Sequence, residues 1–170
     1  MKKMVVMTLI CGLLLVFTAC GVDNTGEQTD NAAGPQEAPP RLELYLNEEE
    51  SPVFLSPRTY EWKIDNGDGT MTGINADAAH PLDVLNELET VDTAKCGGAV
   101  EIILGEGMEV TAVSWWDAAE TDYDNAQEVS GEVIAANKTV YRLPVEAGRV
   151  YEIHADYGDA GDSFYAFMAK

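Results

Sequence analysis

Few residues in this chain carry reactive chemistry, and their spacing decides what each can do. His80 and His154 are the only histidines, and neither has a ligand-type partner at helical or strand spacing. A zinc or catalytic role for either would need help from distant parts of the chain. Cys96 precedes Gly97-Gly98 and would need a base elsewhere to become a nucleophile. A lone cysteine in a β-rich domain more often packs as a small hydrophobe. No Gly-x-Ser-x-Gly or Ser-x-x-Lys motif occurs. Asp156, Asp159 and Asp162 lie three apart around Gly158 and Gly161. A loop that gathered their carboxylates would suit Ca2+, a hard cation that takes oxygen ligands. Asp65-Asn66-Gly67-Asp68-Gly69 has the beginnings of a calcium loop, but Gly67 stands at a ligand position and turn chemistry accounts for the stretch. Trp115 and Trp116 are adjacent, so in a strand they point to opposite faces. The outward one is the candidate platform for a protein, peptide or glycan ligand.

One cysteine has a chemistry its own surroundings define. Lys2 and Lys3 precede a nearly uninterrupted apolar run, Met4–Thr18, of about 15 residues. A helix spanning a bilayer needs about 20, so the run reads as a secretory signal. It ends in Phe17-Thr18-Ala19-Cys20-Gly21. Small residues before a cysteine and a glycine after it resemble the processing box of bacterial lipoproteins. That resemblance implies that the Cys20 thiol takes a diacylglycerol and that cleavage removes residues 1–19, Cys11 included. Two acyl chains hold a protein stably at a membrane, whereas one binds only marginally.

The chain has 170 residues, with 10 Lys+Arg against 30 Asp+Glu and a net charge of −20. Such a chain is repelled by phosphate backbones and by anionic lipid surfaces, so no nucleic acid partner is expected. The charge suits cationic partners or metal ions. With Cys20 acylated, Cys96 is a lone thiol and the domain must hold together without a disulfide.

Residues 20–40 hold the acyl-acceptor cysteine and a stretch, Gly21–Pro40, with no positive charge and no aliphatic side chain larger than alanine except Val22. It cannot bury enough apolar surface to offset the entropy of ordering, and so reads as a disordered, flexible tether of roughly 25 Å reach.

Residues 41–170 form one domain. Leu42–Leu46 and Thr59–Asp65 alternate as half-buried strands. Asn66-Gly67-Asp68-Gly69 predicts a hairpin turn leading to a return strand over 70–75. His80–Leu88 predicts a short helix, with Pro81 at its first position and Leu82, Leu85 and Leu88 on one face. Ala99–Leu104 and Glu109–Trp116, joined by Gly105-Glu106-Gly107, predict a second hairpin. Asp117–Ser130 reads as an acidic loop, Val133, Val140, Tyr141 and Leu143 mark one or two short strands, and Val150–Asp156 and Phe164–Met168 read as further strands. Short strands with frequent turn signals predict an antiparallel β-sandwich of immunoglobulin-like type with one short helix.

Two sets of residues carry a resemblance over roughly 52–168. The first is Tyr60-Glu61-Trp62, the Asp65–Gly69 turn and His80-Pro81-Leu82. The second is Val113–Asp117, Leu143, Gly148–Ala155 and Phe164–Phe167. Together they resemble a β-sandwich domain of clostridial and related Gram-positive proteins. That domain occurs in small lipoproteins and in the extracytoplasmic tails of M56-type sensor peptidases. The resemblance implies a fold and an address, and no catalytic residue transfers from it. The expectation is a lipid-anchored, extracytoplasmic, non-enzymatic binding or sensing module without a cofactor. A structural domain modulating a neighbouring membrane protein is the alternative, and an enzyme using Cys96 or the acidic loops is a second.

Overall fold

The computed structural model describes residues 36–47, 51–134 and 139–170, so the leader and Cys20 lie outside the described residues. Among the described residues twelve strands build two sheets. In chain order they are β1 (Leu42–Tyr45), β2 (Val53–Leu55), β3 (Tyr60–Asp65), β4 (Met71–Ala76), β5 (Glu89–Val91) and β6 (Ala99–Ile103). There follow β7 (Glu109–Asp117), β8 (Gln127–Glu128), β9 (Glu132–Val133), β10 (Val140–Pro144), β11 (Arg149–Asp156) and β12 (Gly161–Ala169). The smaller sheet runs β2-β1-β6-β10-β9. The larger runs β4-β3-β12-β11-β7-β8, with β5 added in parallel alongside the end of β12. Every other pairing is antiparallel.

The alternation read in the strands is what closes the sandwich. Leu42, Leu44, Val100, Ile102 and Leu143 of the smaller sheet share one buried cluster with Val113, Tyr151, Ile153, Tyr165 and Phe167 of the larger. Tyr151 and Phe167, neighbours across β11 and β12, stack with centroids 5.1 Å apart. The mainly β, two-sheet sandwich expected from the sequence is the fold of the chain.

The predicted hairpin over 66–69 forms, with Asp65 opposite Met71 and Gly67 and Gly69 at φ 74° and 87°. The second predicted hairpin does not. β6 pairs with β1 and β10 in one sheet, and β7 pairs with β11 and β8 in the other. Gly105-Glu106-Gly107 therefore carries the chain across the sandwich. Val100 and Ile102 on β6 and Val113 on β7 enter the same core from opposite sides. Alternation shows that a strand has a buried face; it does not show from which sheet that face looks in.

The helix expected over His80–Leu88 is a single 3₁₀ turn, Pro81–Val84, capped by His80. Leu82, Leu85 and Leu88 nonetheless share a small apolar cluster with Val150, Ala166 and Met168 on the outer face of the larger sheet. The one α-helical turn among the described residues, α1 (Thr93–Cys96), lies further on, with Asp92 as its N-cap and Gly97 closing it in the left-handed region.

Of the tether, Gln36–Pro40 are described, and they are fastened to the sandwich. Pro39 is buried. Trp62 Nε1 donates to the Gln36 carbonyl at 2.8 Å, and the Tyr165 hydroxyl donates to the Pro40 carbonyl at 2.7 Å. A phenol has one proton to give, so in the 2.7 Å contact between the two tyrosines Tyr157 donates to Tyr165. Low hydrophobicity does not prevent these five residues from docking, because their backbone carbonyls satisfy buried donors on aromatic side chains.

Candidate functional site

The outer face of the larger sheet carries two adjoining cavities. Glu152 stands on β11, and Ser114 and Ala166 flank it on β7 and β12. His154 follows on β11 and stacks on Phe164 of β12, with centroids 4.3 Å apart. Arg58 reaches this face from the loop before β3. Its backbone N–H donates to the Phe164 carbonyl, and its Nη2 donates to the Ala79 carbonyl, both at 2.9 Å. Those two bonds place the guanidinium between the sheet and the Ala78–Pro81 segment. Arg58, Ala79, His80, Glu152 and Phe164 line a cavity of 260 Å³. A second cavity of 380 Å³ shares Arg58, Ala78 and Ala79 and continues over Val84, Leu88 and Ala166, with Glu87 and Glu89 on its wall.

His80 is positioned from three sides. Its Nδ1 accepts from the Leu82 backbone N–H at 3.3 Å, which leaves the proton of the neutral ring on Nε2. Its ring stacks on Tyr123 at 4.0 Å and meets the Trp116 edge at 4.9 Å. Trp116 Nε1 donates to the Tyr123 carbonyl at 2.9 Å, and the Tyr123 hydroxyl donates to Asp83. The acidic 117–126 loop is thus closed over the sheet. Glu120 organises it by accepting from the N–H groups of Thr121 and Asp122 and from the Asn125 side chain. Those bonds, to the charged form, hold its carboxyl below the ordinary range.

Burial sets the electrostatics of the cavity. It raises the Glu152 carboxyl above the usual glutamate range, against the opposing pull of the Arg58 charge. No ion pair joins the two groups. Burial also lowers the His80 imidazole, partly countered by Asp83 and reinforced by Arg58, so the ring is neutral at pH 7.

The structure distributes the sequence candidates widely. Trp116 lies on the outer face but is only 4% exposed, covered by His80 and Tyr123. Trp115 faces the other way, half-buried beside the main core, with the Arg149 guanidinium 3.5 Å above its ring. Neither ring is an open platform. Asp156 ends β11 and accepts from the Gly158 N–H at 2.6 Å; Asp162 lies opposite it on β12, and Asp159 sits in the turn between them. Among the described residues no group of three or more His, Cys, Asp or Glu is placed to hold a metal ion. Asp65 and Asp68 spend their carboxylates within the hairpin turn, on the N–H groups of Gly67 and Thr70. Cys96 is half-buried at the end of α1, and its Sγ lies 3.6 Å from the Thr93 carbonyl. His154 packs on Phe164 and contacts Thr111 Oγ1 through Nδ1 at 3.0 Å.

Arg58, Glu152 and Phe164 had no signal in the sequence. Arg58 sits in a Ser-Pro-Arg loop, and Glu152 occupies the polar phase of an alternating strand, which reads as solvent-facing. Only the return of the 77–89 segment over the sheet turns that phase into a cavity wall. Comparison with protein-family models, curated proteins and solved structures gives no match for this chain.

Proposed function

We propose that the protein is a lipid-anchored extracytoplasmic lipoprotein whose sandwich is a non-enzymatic binding or sensing module. Its working face is the outer face of the larger sheet between Arg58, His80 and Glu152. One observation carries the reading: two adjoining cavities there share a wall and present charged groups that do not pair with each other, with no nucleophile–base pair beside them among the described residues. The leader with Cys20 supplies the anchor in this account, and the resemblance to sandwich domains of Gram-positive lipoproteins and M56-type peptidase tails agrees with the address. No helix among the described residues is long and apolar enough to cross a membrane. Fractionation of cells expressing the wild type and Cys20→Ala tests the anchor. The wild type is expected in the membrane pellet and the variant in the soluble fraction; a soluble wild type sinks the reading.

A second reading, an accessory domain for a neighbouring membrane protein, is favoured by β4. This edge strand has six residues, Met71 to Ala76, with no charge and no proline. Natural edges are usually blunted by such residues, and an unblunted one invites pairing with another chain. Specific capture of one membrane protein, lost on Ile74→Pro, distinguishes this from ligand binding in the cavity.

A further inference from the structure

The 260 Å³ cavity holds one cationic and one anionic side chain that form no ion pair with each other. Arg58 gives Nη2 to the Ala79 carbonyl and keeps its other side-chain donors. Glu152 is half-buried, and its carboxylate accepts no hydrogen bond from any described residue. The neutral His80 ring adds an Nε2–H with no acceptor among the described residues. Charge complementarity narrows the occupant. A simple anion meets Glu152 and the field of a chain carrying −20. A simple cation meets Arg58. A molecule with both charges a few bonds apart satisfies both walls, and internal residues of a peptide lack the free α-ammonium and α-carboxylate that a free amino acid carries. The volume lies just below the range of about 300–1,000 Å³ typical of ligand sites, which points to a small occupant.

We propose that this cavity takes the zwitterionic head of a free basic α-amino acid, with its ammonium on Glu152 and its carboxylate on Arg58 and His80. The side chain runs into the adjoining 380 Å³ cavity. There Val84 and Leu88 cover an alkyl stem, and Glu87 and Glu89 meet a positive terminus. This assignment rests on the reading of this face as the binding face and names its ligand class.

The test is calorimetric titration of the full-length protein in detergent micelles with L-lysine, Nα-acetyl-L-lysine and cadaverine. The second lacks the α-ammonium and the third the carboxylate. L-Lysine is expected to bind at least about tenfold more tightly than either, the loss that follows when one charged partner is left unpaired. Glu152→Gln should bring L-lysine down to Nα-acetyl-lysine, and Arg58→Gln should bring it down to cadaverine. The analogue comparison on the unaltered protein carries the test even if a variant folds poorly. Equal binding of L-lysine and cadaverine would overturn the zwitterion and leave a cation site. No heat from any of the three at about 10 mM, a ligand concentration that detects even millimolar affinity, would overturn the ligand class. The wider reading of this face fails separately, if hydroxyl-radical footprinting finds His80 and Phe164 no more protected on intact cells than in the purified protein.

Discussion

Gly161 is the point at which a single methyl group should do most damage. It opens β12 opposite Trp62 of β3, with φ at 126°, a region that side-chain-bearing residues rarely enter. A Cβ built there would lie 1.9 Å from the Glu61 carbonyl oxygen and 2.9 Å from its carbon. Both are backbone atoms of the paired strand, so relief requires separating β3 from β12. Backbone strain of this kind costs about 1–3 kcal/mol and overpacking about as much again, so Gly161→Ala should lose about 4 kcal/mol. Gly158 provides the control within the same turn. Its φ is 63°, and a methyl carbon added there would meet no atom within 4 Å. Gly158→Ala should therefore lose only the left-handed backbone penalty of about 1–2 kcal/mol. Urea unfolding followed by tryptophan fluorescence measures both. Trp62 borders the affected pairing, so its environment should report the loss. Equal destabilisation by the two variants, or a Gly161→Ala protein as stable as the wild type, would refute the close approach of β3 to β12.

Three further outcomes follow from particular contacts. Tyr165→Phe removes a fully buried hydroxyl that links Tyr157 to the Pro40 carbonyl, at a cost of about 1–3 kcal/mol. Trypsin should then cut after Arg41 faster than in the wild type; unchanged cleavage would mean that the Gln36–Pro40 strap is held by something else. Glu152→Gln should stabilise the protein at neutral pH. Burial raises the folded-state pKa of Glu152, so the folded chain holds that proton more tightly, and wild-type stability falls as pH rises from the ordinary value through the folded one. The advantage of the variant should vanish below the ordinary glutamate value of about 4.3, and a constant advantage across pH would contradict the assignment. Trp116→Phe removes the indole N–H from the Tyr123 carbonyl and should cost about 1–3 kcal/mol. Hydrogen exchange over 118–126 should accelerate; a loop as protected as before would show that Trp116 does not hold it.

The strands were legible because burial imposes a period of two. Leu42 and Leu44, and Tyr151, Ile153 and Ala155, point into the core as their alternation requires. The 66–69 turn was legible because Gly67 and Gly69 adopt the positive φ that their residue type favours. Sheet membership was hidden. The five-residue link 104–108 serves a crossing between sheets as readily as a hairpin, and only the pairing of β6 with β10 and of β7 with β11 decides between them. In the segment after His80, the apolar spacing of Leu82, Leu85 and Leu88 correctly marked a buried face, yet only Pro81–Val84 coils. Packing on Val150 and Ala166 buries those leucines without a full helix. The candidate site was hidden for a related reason. Arg58 and Glu152 are 94 positions apart in the chain, and each in isolation has the character of a solvated surface residue. The tryptophan pair was found from sequence, but its role as covered wall and cation-stacked rim depends on Tyr123 and Arg149, which lie in other elements.

The central claim is that an anchored sandwich works through the face bearing Arg58, His80 and Glu152. Hydroxyl-radical footprinting tests it most directly, comparing the purified full-length protein with the same protein on intact cells. Oxidation at His80 and Phe164 should fall on cells, while Phe54, 46% exposed on the opposite sheet, stays unchanged. Equal oxidation at His80 and Phe164 in both settings, or protection centred on Phe54, would contradict the account.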